Sequence, residues 1–139
     1  MRRVTLACTL MLSLVAAGCG DDDPETPTTP TPPATVTETF TGTLTRNGAT
    51  SHPFPIASSA GGDVTASLKA VTPDGASVVG MSLGTWNGTA CQAVISNDRA
   101  TVPSALLGKA TSTGTLCVRI FDVGALSEPQ DYEVEVVHP

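Results

Sequence analysis

From residue 36 to residue 139, apolar and polar side chains alternate with a period of two, and Gly, Pro, Asn and Asp break the alternation into short runs. A period of two places alternate side chains on opposite faces of an extended chain, so each run reads as a half-buried β-strand. Composition points the same way: Thr, Ser, Ala, Val and Gly carry the bulk, and only 14% of residues are charged. Few Glu, Lys and Gln remain to build helices, and no run shows a helical period. The expected architecture is all-β: an antiparallel β-sandwich of the jelly-roll type, with about seven to eight strands.

The first 35 residues cannot join that sandwich. Arg2 and Arg3 precede a mostly apolar run over residues 6–17, too short to cross a bilayer comfortably as a helix. Small residues then lead into Cys19, the order of a secretory signal. The stretch "LVAAGC" resembles a bacterial lipobox, with Ala16 where Leu is commonest. The resemblance implies cleavage before Cys19 and a diacylglyceryl group on its sulfur. Residues 1–18 are then a lipoprotein signal peptide, and Cys19 is a membrane anchor whose chains contribute about 0.8 kcal/mol per buried methylene. Gly20 stands where an Asp retains many such lipoproteins at the inner membrane, which points to the outer membrane of a bacterial cell envelope. Residues 19–35 form an Asp/Thr/Pro-rich tether; "PETPTTPTPP" is extended and has nothing to bury.

Within the domain over residues 36–139, "VTETFTGTLTR" puts Phe40 and Leu44 on one face, and "HPFPI" does the same for Phe54 and Ile56. Pro53 and Pro55 remove two donors from one side of that strand, which therefore belongs at a sheet edge. Val64, Ala66, Leu68 and Ala70 point inward, as do Val79, Met81 and Leu83, then Leu116, Val118 and Ile120, and finally Tyr132, Val134 and Val136. Asn47-Gly48 and Asn87-Gly88 suit two-residue hairpin turns. Residues 96–114 form a looser stretch in which "SALLG" is a short strand or a turn.

"FTGTL", "HPFPI" with its following Gly pair and "VTASL", "GTLCVRIFDVG" and the closing "YEVEVVHP" resemble the bacterial pre-peptidase C-terminal domain family over residues 40–139. That resemblance implies a small extracytoplasmic β-sandwich of the kind appended to secreted hydrolases, assisting binding or secretion, with no shared catalytic residues.

Net charge is −6, which excludes a basic footprint for nucleic acid. His52, in the proline-flanked edge strand, and His138, next to the C-terminus, are the only histidines available for a catalytic set, and no working G-x-S-x-G, H-E-x-x-H or Gly-rich phosphate loop is expected. No enzyme activity, cofactor or metal is expected. Asp122, Glu128 and Asp131 bracket one loop without regular Ca²⁺ spacing and read as solvated acids. Asn87-Gly88-Thr89 matches a glycosylation sequon and reads as turn chemistry. With Cys8 removed and Cys19 acylated, Cys91 and Cys117 remain to form a disulfide in an oxidising compartment. Parity sends Trp86 outward beside Gly80, Ser82 and Gly84, a flat strip on which an indole could stack against a sugar; a bulge would instead turn it into the core. The expected function is a membrane-anchored, non-catalytic binding module whose partner is an envelope protein or glycan. The alternative is a structural accessory subunit docking on a secreted or envelope hydrolase.

Overall fold

The computed structural model describes residue 31 and residues 33–139. The expected signal peptide over residues 1–18, Cys19 and most of the expected tether lie outside the described residues. Eight strands follow in order: β1 Val36–Leu44, β2 Ala49–Ile56, β3 Gly62–Thr72, β4 Val79–Trp86, β5 Cys91–Ala100, β6 Ala105–Ala110, β7 Gly114–Phe121 and β8 Gln130–His138. They form two four-stranded sheets, β1-β8-β3-β6 (sheet A) and β2-β7-β4-β5 (sheet B), with every pairing antiparallel. Only β4 and β5 are both consecutive in the chain and adjacent in a sheet. That interleaving of eight strands over two facing sheets is a jelly roll.

The inward residues of both sheets form one core. Leu44, Phe54, Val64, Leu68, Met81, Val118, Ile120, Val134 and Val136 are all buried. Proline placement holds as expected: β2 is an edge of sheet B, and its ladder to β7 runs unbroken from Ala49 to Ile56, so the two missing donors fall on the open side.

Four local expectations change. Asn47-Gly48 does not close a hairpin, because β1 pairs with β8 and β2 with β7, in different sheets. The turn is centred one residue earlier: the Gly48 N–H donates to the Thr45 carbonyl at 2.8 Å, and Asn47 takes the left-handed φ of 55°. Asn87-Gly88 does join paired strands, but through a four-residue loop in which the Asn87 side-chain oxygen accepts from the N–H of Thr89 (2.9 Å) and Ala90 (2.8 Å). Ala70 does not face the core. Lys69 is an extra residue between the Leu68 and Ala70 pairings, so Val71 takes the inward place and Ala70 turns outward. Residues 96–114 are not loose, since β5 continues to Ala100 and β6 fills Ala105–Ala110. β5 is an edge strand with largely exposed side chains, so no apolar alternation advertised it.

At the tip of the β4–β5 hairpin, β5 folds back over β4. A Cβ on Gly84 would collide with the Gln92 carbonyl oxygen. This close approach brings Cys91 on β5 to Cys117 on β7, two strands away in the sheet, and they form a disulfide with Cα atoms 5.7 Å apart. Cys117 alternates with the inward Leu116 and Val118, yet it is fully buried because the returning hairpin covers it. Gly84→Ala should therefore lower stability by about 1–3 kcal/mol through overpacking against backbone. Removing the disulfide with Cys91→Ala and Cys117→Ala should cost about 3–4 kcal/mol in the chain-entropy picture. Denaturant midpoints measured on both variants check the pair of values.

Candidate functional site

Trp86 lies at the end of the outward strip of β4. The extra residue in the β4–β5 ladder near Trp86 is Val94, on β5. The alternation of β4 is therefore undisturbed, and Trp86 stays on the outer face, half-buried beside the paired Cys91. The strip itself is not open. The Phe121 ring lies where a Cβ of Gly80 would go, Gln92 backbone covers Gly84, and Ser82 is 1% exposed between its pairing partners Arg119 and Ser96. Arg119 in turn stacks on Phe121, with its guanidinium carbon 5.0 Å from the ring centroid. The small residues of β4 let neighbours approach; they do not leave a platform for a ligand.

The same segment, Gly80-Met81-Ser82-Leu83-Gly84, spells G-x-S-x-G, the pattern of a nucleophile elbow, contrary to the expectation that the chain carries no such motif. That motif works on a sharp turn from strand to helix, whereas here it lies inside β4. Register decides the matter. Ser82 pairs with Arg119 on the outer face, while His52 pairs with Val118, whose side chain is in the core. The hydroxyl and the imidazole are on opposite faces of sheet B, so no serine–histidine pair forms.

Both histidines are tied into the lateral edge where β1 stands over β2. His52 shares a hydrogen bond of 2.7 Å with the Tyr132 hydroxyl and stacks on Phe40 at 4.9 Å. His138, 2% exposed, contacts Glu38 through its Nε2 at 3.0 Å and packs on Phe54 at 5.0 Å. Burial lowers the His52 pKa, since a charged imidazole would lose hydration there. Burial likewise raises the Tyr132 pKa, against a smaller opposing effect of the Thr50 hydroxyl.

The three acids do not converge. Asp122 organises its loop, accepting from the N–H of Asn47 (2.8 Å), Gly124 (2.9 Å), Ala125 (3.0 Å) and Leu126 (3.2 Å). Partial desolvation opposes ionisation, but the four donors outweigh it and its pKa is lowered. Asp131 lies elsewhere and accepts from the Thr43 hydroxyl at 2.6 Å. Among the described residues, no group of acids, cysteines and histidines could hold a metal.

Sequence reading missed a groove of about 430 Å³ on the outer face of sheet A. That volume falls in the ordinary range for ligand sites, roughly 300–1,000 Å³. Its walls and floor are Thr41 and Thr43 of β1, Asp131 and Glu133 of β8, and Ala70 and Thr72 of β3. Small side chains leave the space, and Ala70 is available because Lys69 shifted the register. The lining offers hydroxyls and carboxylates, so it can hydrogen-bond a polar ligand, and it contains no imidazole, amine or thiol. The signal was legible as threonines at alternate positions of β1 facing acids at alternate positions of β8, once the pairing of those strands is known.

No known family profile matches this chain, and no curated protein sequence does. Similar solved structures exist. The mitogen derived from Yersinia pseudotuberculosis superposes with a TM-score of 0.55 at 17% identity, over 74% of this chain and 86% of that one. PliG of Aeromonas hydrophila, a periplasmic inhibitor of g-type lysozyme, superposes with a TM-score of 0.54 at 13% identity, again over 74% and 86%. At such identities the likeness is one of fold.

The state of His52 is open to measurement. Its folded pKa lies below the ordinary 6.5, so its neutral form is the one the fold favours. The associated stability is complete above the ordinary value and is lost as pH falls through the lower folded value. The melting temperature should drop between pH 7.5 and 5, and His52→Gln should flatten part of that drop.

Proposed function

We propose that the chain is an extracytoplasmic, lipid-anchored and non-catalytic binding module. In this reading the acyl chains on Cys19 hold it to a bacterial membrane, and the proline-rich segment carries the jelly roll away from the surface. Several acyl chains together are enough for durable anchoring, where one would be marginal. The observation that carries the binding reading is how the reactive groups are used. Both imidazoles are committed to hydrogen bonds inside the sandwich edge, and Cys91 and Cys117 to a disulfide, while the groove on sheet A is lined by hydroxyls and carboxylates. The disulfide also suits an oxidising compartment such as the envelope. One structural neighbour is a periplasmic inhibitor of a lysozyme, so a sandwich of this shape can serve by binding. That neighbour's target, a hydrolase, favours docking on an envelope enzyme as the second reading, in keeping with the resemblance to domains appended to secreted hydrolases.

Cys19→Ser should abolish lipoprotein processing and move the protein from the detergent phase to the aqueous phase; intact mass of the unsubstituted chain should include the acyl chains. A mature mass without them ends the anchored reading. For binding, Glu133→Lys should reduce retention on isolated envelope or polysaccharide fractions by about tenfold, equivalent to about 1.4 kcal/mol, with the melting temperature unchanged. Unaltered retention assigns the ligand to another surface.

A further inference from the structure

A sandwich of two open sheets has four edge strands, and each is a template for pairing with another chain unless something blocks it. Here the edges are β1 and β6 in sheet A, and β2 and β5 in sheet B. Three are blocked. β2 has Pro53 and Pro55 on its open side. β5 is interrupted by two register shifts and carries Asp98 and Arg99. β6 has just six residues, among them Lys109. β1 differs: its one charged side chain, Glu38, is engaged within the same copy by His138 at 3.0 Å. Its nine residues pair with β8 without a break from Val36 to Leu44, with no proline, no bulge and no lysine or arginine. Among the described residues, no strand pairs with its other side.

We propose that β1 pairs antiparallel with β1 of a second copy, joining two A sheets into one eight-stranded sheet across a two-fold axis. The sequence VTETFTGTL is self-complementary about Phe40. In that register Thr39 stands opposite Thr41 of the second copy, and Thr37 opposite Thr43. These are cross-strand Thr–Thr pairs, which are favourable. On the inner side, Val36 meets Leu44, Glu38 meets Gly42, and Phe40 meets Phe40. All nine residues find partners, and no like charges stand directly opposite each other. Val36 is 49% exposed and Phe40 only partly buried, so each copy has apolar surface left to cover along this edge.

Charge does not forbid the pairing. Asp131, Glu133 and Glu135 lie on β8, one strand inside the seam. The two acidic rows would therefore be three strand spacings apart, about 14 Å. That exceeds the screening length of about 8 Å at physiological ionic strength. The association is consequently expected to strengthen with moderate salt.

The test uses Thr39→Lys combined with Thr41→Lys in the full chain, extracted in detergent. Within one copy the new cations face Glu135 and Glu133 across the β1–β8 ladder, so the fold should keep its melting temperature. Across the seam they face each other. Sedimentation should give a dimer mass for the unsubstituted chain and roughly half that mass for the variant. Independently of how that variant folds, Thr39→Cys combined with Thr41→Cys should cross-link into a covalent dimer on mild oxidation, while Leu107→Cys on β6 should not. A monomer at every concentration and salt overturns the proposal, even if slow amide exchange in β1 then shows another segment on that edge. A dimer that survives the lysine substitutions, or that cross-links through position 107, overturns it as well.

Discussion

The structure depends on two strands that arrive last. β8 lies between β1 and β3, and β7 lies between β2 and β4, so one of the two inner strands of each sheet is supplied by the final stretch of the chain. Every core residue of β1 and β2 gains its in-sheet neighbours from these strands rather than from the next element along. Such long-range pairing costs loop entropy before it gives any return, and the return here is the shared core of Val118, Ile120, Tyr132, Val134 and Val136. The disulfide acts on the same weak point, fastening the one local hairpin, β4–β5, to β7.

Strand identity and facing were largely legible, because a period of two survives wherever one face is buried. Phe54 and Ile56, the Val64–Leu68 run, and Tyr132 through Val136 all fall where alternation puts them. Reading failed where the signal belongs to the partner rather than to the strand. Asn47-Gly48 carries good hairpin chemistry, but the pairing of β1 with β8 overrides it. Ala70 and Val71 exchange places because of one unpaired residue, Lys69, and nothing in a single sequence marks a bulge there. β5 was under-read because an exposed edge strand has no apolar stripe to display.

Glycines gave the most misleading signal at the candidate site. Gly80 and Gly84 looked like a bare surface beside Trp86, when each is small because a neighbour occupies the space a side chain would need. Ser82 between them completes a pattern associated with nucleophiles, yet close packing explains its glycine neighbours. The groove over β1, β8 and β3 was invisible for the opposite reason. Each strand's outward threonines or acids are ordinary surface residues, and they become a concavity only when three non-consecutive strands are laid side by side.

The late position of β7 and β8 has a bearing on how the chain is made. During vectorial synthesis, residues 36–110 emerge with the β4–β5 and β3–β6 pairings available to them and with β7 and β8, one inner strand of each sheet, still absent. A nascent chain of that length can form one local hairpin, β4–β5, and one longer-range pair, β3–β6. Closure comes with the last strands, so a product truncated before Gly114 would be delivered unable to close either layer.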